Sequence, residues 1–306
     1  MRVAAIDLGT NTTRLLVANV DGDQIDEVVK RTRITRLGEG VDTRHQLLPV
    51  PIARVRNCLS EYRRELESLG AERTLLVATS AVRDAENGEA FLGEIEWSYG
   101  FTTRLLSGDE EAELTLRGIG ETNPSTLIVD IGGGSTELIG ADQRISLDIG
   151  AVRLTERHLP SDPPTDAELA ACATAVRSVL PDGPRPERAI GVAGTITSLA
   201  ALDLGLAEYD PERVHGHRLT LDGVQQQLSR LASMPLAERR EVPALDPDRA
   251  PVIVAGAVIL REVLGHFGLE EIEASERDIL HGAALEAAAL PEPIQGEAPP
   301  GAYTCC

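Results

Sequence analysis

Aromatic residues and lysine are scarce in this chain of 306 residues. Phe, Trp and Tyr make up 3% of it, too few for a platform on which nucleic-acid bases stack. Lys30 is the only lysine, so no glycine-rich loop here carries the phosphate-binding lysine of a Walker loop. No apolar run approaches the roughly 20 residues that cross a bilayer, and Arg2 leads into a predicted strand rather than a secretory leader. These absences predict a cytoplasmic protein with no membrane partner.

The charge balance excludes a further class of partner. The formal net charge is −20, which repels DNA and acidic membrane surfaces, so we expect no nucleic-acid partner. A polyanionic ligand would need local positive features, and residues 30–36 form the densest basic stretch. That stretch is equally consistent with a solvated strand face.

Four cysteines fit a reducing compartment. Cys58 and Cys172 lie on the apolar stripes of predicted helices, which predicts that they are buried. Cys305 and Cys306 form a terminal pair without the spacing of a zinc or redox motif.

One pattern occurs twice in the chain. An apolar strand ends on an aspartate, turns through residues that are glycine or carry a short hydroxyl or amide, and enters a second strand. The two copies are Ile6-Asp7-Leu8-Gly9-Thr10-Asn11-Thr12-Thr13-Arg14 and Val129-Asp130-Ile131-Gly132-Gly133-Gly134-Ser135-Thr136-Glu137. Such a turn can point several backbone N–H groups at one phosphate-sized anion. Either turn taken alone is also consistent with an ordinary tight hairpin.

Strands alternate with helices on both sides of the second copy, which predicts two α/β domains with mostly parallel sheets. Asp21-Gly22 predicts a hairpin turn, and Thr165 to Glu168 predicts a capping box at the start of a helix. The predicted domains are residues 1–122 and 123–290, and the tail from 291 to 306, rich in Pro, Gly and Ala, is predicted to be disordered.

The repeated loops supply the candidate phosphate-binding residues. A third Gly-Thr turn follows another predicted strand. The set is Gly9, Thr10, Asn11 and Thr12 in the first loop, Gly132, Gly133, Gly134, Ser135 and Thr136 in the second, and Gly194 and Thr195 in the third. A Rossmann motif is excluded because Gly132-Gly133-Gly134 leads into a strand rather than a helix.

Acidic residues at these strand ends predict a metal site. Asp7 and Asp130 end buried strands, and Glu137 can return its carboxylate to Asp130 across the hairpin. Mg²⁺ prefers one or two carboxylates together with water and phosphate oxygens, with Mn²⁺ as an alternative. The other interpretation of Glu137 is a solvent-exposed strand residue.

Two further positions bear on catalysis. Glu111 lies in the first turn of a predicted helix, where an acidic residue either serves the helix dipole or acts as a base for water. Arg83 follows a buried strand, where it either forks onto phosphate oxygens or pairs with Asp84. His215-Gly216-His217 lacks a third ligand that would make it a metal site.

Taken together, these segments resemble the exopolyphosphatase and guanosine pentaphosphate phosphohydrolase (Ppx/GppA) family, within the superfamily of actin, Hsp70 and sugar kinases. The similarity covers roughly residues 2–289, and Leu147 to Gly150 with Arg153 to His158 resemble the short, two-domain actinobacterial-type members in particular. The motifs that carry it are Ile6 to Asn11 with Arg14-Leu15, Arg33 to Gly40, Ala78 to Asn87, Ser107 to Ala112, Val129 to Glu137, Val192 to Thr195 and Ser275 to Gly282.

The resemblance implies a duplicated actin-like (ribonuclease H-like) fold with a cleft between the domains. It implies that Glu111 is the catalytic base, that Asp130 and Glu137 organise Mg²⁺ and water, and that Arg83 contacts phosphate together with the loop residues. The chain ends before the helical C-terminal domains of longer members, and His281 stands where many relatives carry arginine.

The expected activity is Mg²⁺-dependent hydrolysis of the terminal phosphate of inorganic polyphosphate. Guanosine pentaphosphate is the alternative substrate. A small-molecule kinase of the same superfamily and a noncatalytic polyphosphate or nucleotide sensor remain as alternatives from other classes. A homodimer is expected because duplicated folds often present self-complementary surfaces.

Overall fold

The structure is a computed structural model that describes residues 1–120, 122–141, 143–183 and 185–291. The predicted tail beyond Pro291, with Cys305 and Cys306, lies outside the described residues. Within the described ranges, no helix is both long enough and apolar enough to span a membrane.

Strands and helices alternate along the chain, as the sequence pattern predicts. The strands are β1 (Arg2–Leu8), β2 (Thr12–Asp21), β3 (Gln24–Ile34), β4 (Arg73–Ala78), β5 (Thr102–Leu105), β6 (Thr126–Ile131), β7 (Thr136–Ile139), β8 (Arg144–Leu147), β9 (Arg188–Val192), β10 (Arg218–Thr220) and β11 (Glu271–Ala274). The helices are α1 (Val41–Arg44), α2 (Pro49–Ser68), α3 (Ser80–Arg83), α4 (Gly88–Tyr99), α5 (Gly108–Ile119), α6 (Ala151–His158), α7 (Asp166–Arg177), α8 (Ala193–Asp203), α9 (Pro211–Val214), α10 (Leu221–Ala232), α11 (Leu236–Arg239), α12 (Ile253–Phe267) and α13 (Ile279–Ala289).

The described residues form two compact units, residues 1–120 with 278–291, and the described part of 122–277. In the first unit the strand order is β3-β2-β1-β4-β5. β1 pairs antiparallel with β2 and parallel with β4. Its residues Val3 to Ile6 are fully buried, as expected for a central strand covered on both faces.

The second unit repeats this arrangement. Its sheet reads β8-β7-β6-β9-β11-β10, so that β6 is the counterpart of β1, β7 of β2 and β9 of β4. β6 pairs antiparallel with β7 and parallel with β9, as β1 does with β2 and β4. The prediction of a duplicated α/β domain is confirmed.

The last helix differs from the predicted domain boundary, which placed residues up to 290 in the second domain. α13 instead belongs to the first unit, where Leu280 and Ala283 fill one face of the sheet beside Val3 and Val77. Its Gly282 is close to the backbone of α5, because a Cβ there would lie 1.9 Å from the Leu114 carbonyl oxygen. The assignment of α13 to the second domain was therefore wrong.

Several local predictions are confirmed. Gly22 adopts a positive φ of 58° in the hairpin turn between β2 and β3. The capping box at Thr165 and Glu168 begins α7. Cys58 and Cys172 are buried free cysteines.

Candidate active site

In the second unit, Asp130 and Glu137 stand directly opposite each other on β6 and β7. Opposed residues of an antiparallel pair project from the same face of the sheet with Cβ atoms about 4.5–5.5 Å apart. Glu137 is only 3% exposed. The Ser146 hydroxyl, on β8, donates to Glu137 Oε1 at 2.8 Å. The alternative of a solvent-exposed strand glutamate is wrong, and the two carboxylates form a pair.

The glycine loop after Asp130 has its carbonyl groups turned toward α6. The Gly132 oxygen accepts from Ala151 N–H at 3.0 Å, and the Gly133 oxygen from Val152 N–H at 2.8 Å. The Gly134 oxygen accepts from Arg153 Nε at 2.7 Å. Three successive carbonyl oxygens are thus held on one side of the loop.

The orientation of these carbonyls fixes that of the N–H groups. In a planar trans peptide, the N–H points opposite to the C=O of the same peptide group. The N–H groups of Gly133, Gly134 and Ser135 therefore point away from α6. Successive N–H groups aimed to one side of a glycine turn form the kind of concavity that binds an anion.

The first unit builds its loop in the same way. Gly9 N–H donates to the Thr12 oxygen at 2.9 Å, as Gly132 N–H does to the Ser135 oxygen at 3.0 Å. The Thr10 carbonyl accepts from Gly38 N–H at 2.8 Å. The next carbonyl, that of Asn11, accepts from the N–H groups of residues 35 and 36. The N–H groups of residues 11 and 12 consequently point away from the segment 35–38.

Gly38 explains the glycine in the motif from Arg33 to Gly40. A Cβ at this position would lie 2.2 Å from Thr10 Cγ2, so only glycine lets this segment approach the loop. Ahead of it on β3, the exposed Arg31 and Arg33 pair with residues of α2, Arg31 with Glu65 at 2.8 Å and Arg33 with Glu61 at 3.5 Å. The basic stretch contributes at least these two arginines to a solvated, ion-paired face.

Asp7 has a partner different from that of Asp130. The residue opposite Asp7 is Arg14, at the position that Glu137 occupies in the second unit. Arg14 donates to Asp7 Oδ2 from Nε at 2.9 Å and from Nη2 at 2.7 Å. Asp7 is 3% exposed, and burial raises the pKa of its carboxyl while the Arg14 guanidinium opposes that rise. The two hairpins thus share a backbone but hold different charges.

The first turn of α5 carries Glu111. Ser107 and Glu110 form the capping box that begins this helix. Glu111 lies on the inner face, 6% exposed, and accepts a hydrogen bond from Arg83 Nη1, which also donates to the Leu106 carbonyl at 2.7 Å. Burial and this ion pair distinguish Glu111 from an acidic residue placed at a helix start for the dipole alone.

Gly194 and Thr195, predicted as a third turn, lie in the first turn of α8, which follows β9 directly. Ala193 adopts a positive φ of 66° there, and Thr195 is buried. A Cβ on Gly194 would lie 2.0 Å from Arg249 Nη1, so the Arg249 guanidinium packs directly on Gly194. Sequence reasoning missed Arg249, because it lies in an irregular segment far along the chain with no motif to mark it.

Thr136, one of the predicted phosphate-binding residues, has a partner within its own unit. It is fully buried, and its hydroxyl donates to the Ile149 carbonyl. The proton that would bind a phosphate oxygen is therefore used within the unit. Thr136 thus holds the hairpin in place, and its contact with phosphate stays a prediction.

The two histidines near position 216 have other partners. His217 Nε2 pairs with Asp203 at 2.8 Å, and His215 Nδ1 accepts from the Glu276 N–H. Among the residues that the structure describes, no group of three or more His, Cys, Asp or Glu side chains is arranged to hold a metal ion. Any divalent cation would therefore rely on a carboxylate pair and on ligand oxygens.

The predicted site residues fall into two sets, one in each unit. The first unit brings together Asp7, the loop 9–12, Arg83 and Glu111. The second brings together Asp130, Glu137, the loop 132–135 and the turn at Gly194. Each set combines an anion-binding turn with carboxylates, of which Asp7, Glu111 and Glu137 are buried and Asp130 is half-buried.

Two units with one strand order and the same strand–loop–strand element define a duplicated actin-like fold. The Ppx/GppA phosphatase family model matches residues 16–289, and the chain belongs to this family, whose members are hydrolases of phosphoric anhydrides. It is 38% identical to exopolyphosphatase 2 of Mycobacterium tuberculosis, over 94% of this chain and 98% of that protein. It is 32% identical to exopolyphosphatase 1 of the same species, over 89% of this chain and 84% of that protein.

Solved structures agree with this assignment. The crystal structure of an exopolyphosphatase-like protein superposes with a TM-score of 0.88 at 34% identity, covering 94% of this chain and 98% of the other. The Aquifex aeolicus member of the Ppx/GppA family superposes with a TM-score of 0.77 at 30% identity, with the same coverage of the two chains.

Proposed function

We propose that this protein is an exopolyphosphatase that releases orthophosphate from the end of inorganic polyphosphate. The observation that carries this proposal is the pair of anion-binding loops, each following a strand whose next-to-last residue is an aspartate, buried Asp7 in one and half-buried Asp130 in the other. Phosphoryl transfer depends on positioning and on charge stabilisation rather than on covalent chemistry, and these loops supply both.

The loop residues bind phosphate, and Glu111 and Arg83 act on the attacking water and the phosphate. The N–H groups of Gly133, Gly134 and Ser135 bind phosphate oxygens in the second unit, and those of Asn11 and Thr12 bind phosphate oxygens in the first unit. Glu111 accepts a proton from the attacking water. Arg83, which holds Glu111 in this structure, is placed to exchange that contact for a phosphate oxygen, because guanidinium groups bind carboxylate and phosphate in the same forked geometry.

The carboxylates fit a magnesium ion. Asp130 and Glu137 provide the one or two acidic ligands that Mg²⁺ takes from a protein when phosphate oxygens complete its shell. Asp7 Oδ1 is buried without a hydrogen-bond partner among the described residues, which suits an acceptor for a ligand or for its water. When bound, Mg²⁺ would neutralise charge on the transferring phosphate. Ser146 orients Glu137 for this role.

The test of Glu111 is its replacement by glutamine. We expect Glu111→Gln to lower the rate of orthophosphate release by about 10²–10⁴-fold, the usual contribution of a general base. Binding of polyphosphate should stay nearly unchanged, as measured by filter retention. Glu113→Gln is the matched control, since Glu113 is exposed on the same helix. An equal loss of binding and release would count against Glu111 as the base.

Guanosine pentaphosphate is the second candidate substrate. The chain is 28% identical to the guanosine-5'-triphosphate,3'-diphosphate pyrophosphatase of Aeromonas hydrophila, but spans 56% of that protein, against 98% of exopolyphosphatase 2. The fuller coverage favours polyphosphate. Orthophosphate release from short polyphosphate, long polyphosphate and guanosine pentaphosphate, with and without Mg²⁺ or Mn²⁺, separates the candidates. Absence of turnover on all three would sink the proposed function.

A further inference from the structure

A buried chain of charges lies behind the first loop. Arg14 donates hydrogen bonds from two of its nitrogens to a single oxygen of Asp7, Oδ2. A third nitrogen, Nη1, donates to Asp278 Oδ2. The side chains of Asp7, Arg14 and Asp278 are 5%, 14% and 5% exposed, so one guanidinium is held between two buried carboxylates.

Because both of these hydrogen bonds go to Oδ2, the other oxygen of Asp7 has no hydrogen-bond partner among the described residues. Asp7 Oδ1 is buried and accepts no hydrogen bond within the described chain. An unsatisfied buried acceptor costs free energy, and in native proteins such an atom commonly faces a ligand, an ion or a water. Arg14 would satisfy both oxygens if its fork turned toward Asp7, the usual geometry of an arginine–carboxylate pair. Something must keep it from doing so.

Asp278 is fixed in the place that restrains Arg14. Its Oδ1 caps α13 by accepting from Leu280 N–H at 3.0 Å, and its own N–H donates to His281 Nδ1 at 3.2 Å. On its other side, His281 Nε2 meets Glu27 Oε1 at 2.8 Å. With Oδ1 occupied by the helix, Oδ2 is left to face Arg14.

The helix that carries Asp278 is itself anchored. α13 and α5 approach so closely that a Cβ on Gly118 would lie 1.9 Å from the Asp278 carbonyl oxygen. Such a contact between backbones leaves little freedom for α13 to shift. Because α5 also carries Glu111, Asp278 has a defined position relative to the proposed base.

We propose that Asp278 is a positioning residue: by holding Nη1 of Arg14, it confines the guanidinium to Oδ2 of Asp7 and keeps Oδ1 available to the bound phosphate's cation or water. The role of the free oxygen rests on the proposed function. The restraint of Arg14 by Asp278 does not, and it can be tested without substrate.

The variant that tests this is Asp278→Asn. Asparagine is as good a helix cap as aspartate, but its single carbonyl oxygen cannot serve both Leu280 N–H and Arg14. If the oxygen caps the helix, the amide NH₂ faces a guanidinium, and Arg14 turns to bind both oxygens of Asp7. We expect kcat/KM to fall about tenfold to a hundredfold, the range for a lost hydrogen bond to a charged group. The Mg²⁺ concentration for half-maximal rate should rise about tenfold or more.

The first control is Asp210→Asn, since Asp210 caps α9 with its side chain and lies in the second unit. It should leave both kinetic values unchanged. The second control is the pair Arg14→Lys and Arg14→Lys/Asp278→Asn. If Asp278 acts through Arg14, the double variant is no slower than Arg14→Lys alone. Additive losses would mean that Asp278 acts by a route other than Arg14, and would overturn the proposal.

The direct readout is a crystal structure of Asp278→Asn without substrate or metal. Arg14 bound to both oxygens of Asp7 supports the proposal, and Arg14 remaining on Oδ2 alone refutes it. Asp278→Ser, a second residue favoured at helix caps, serves if the asparagine variant does not fold. A wild-type protein inactive on every polyphosphate would refute the proposed function, while the structural comparison would still decide the role of Asp278.

Discussion

A methyl group added at Gly282 should separate two helices of the first unit. A Cβ there would lie 1.9 Å from the Leu114 carbonyl oxygen, whereas real Cβ atoms essentially never come within 3.0 Å of a neighbour, so α13 and α5 must part by more than 1 Å. Overpacking costs about 1–3 kcal/mol, and an obstacle made of backbone places this case near the upper end, ~3 kcal/mol. Alanine regains ~1 kcal/mol through its higher helix propensity. We therefore expect Gly282→Ala to lower the free energy of unfolding by about 2 kcal/mol.

The assay is urea unfolding followed by circular dichroism, with Gly93→Ala as the matched control. Gly93 is an exposed residue inside α4, and a Cβ there meets no described atom within 4 Å. That variant should match the wild type or exceed it by up to ~1 kcal/mol. Gly282→Ala should also slow phosphate release, because α5 carries Glu111. Equal stability of the two variants would refute the close helix crossing.

Two other predictions concern the glycine loop of the second unit and the two buried cysteines. Gly150→Ala should reduce affinity for polyphosphate in a filter-binding titration, because its Cβ would lie 2.3 Å from the Gly133 oxygen and displace the loop. Gly140→Ala is the control and should not reduce affinity, because the nearest neighbour of its Cβ would be at 3.9 Å. Unchanged binding by both variants would contradict the role of the loop that contains Gly133. Cys58 and Cys172 should resist iodoacetamide at pH 8 in the folded protein, because burial raises the pKa of each thiol to about 11. Peptide mass spectrometry checks this, labelling in urea is the control, and rapid labelling of either native thiol would show that it is accessible.

The sequence predicts the duplicated loops well because their conformation is local. A strand, a turn of small residues and a second strand appear in the order of the residues themselves, and the partner of Asp130 lies only a hairpin away. The repeat also contains a signal that was not used. Aligning the two copies places Arg14 where Glu137 stands, which already indicates that Asp7 has a cationic partner.

Contacts between segments that are distant in the sequence could not be predicted from such local patterns. The pairing of Arg83 with Glu111 joins two elements, and the sequence offered Asp84 beside it as an equally good partner. Helical periodicity shows that residues 279–289 form a helix but not which sheet it covers, so α13 was placed in the wrong unit. α6 was missed because eight residues following a predicted strand give too short a pattern, although its first turn orients the glycine loop.

The return of α13 to the first unit affects how the protein is made. Residues 121–277 form one uninterrupted stretch and have every strand of their sheet once residue 277 is synthesised. Residues 1–120 complete their fold later. One face of their sheet, with Val3 and Val77, stays uncovered until Leu280 and Ala283 emerge from the ribosome. On the ribosome the segment translated first is thus finished last, and a chain halted before position 278 would expose an apolar surface to chaperones and proteases.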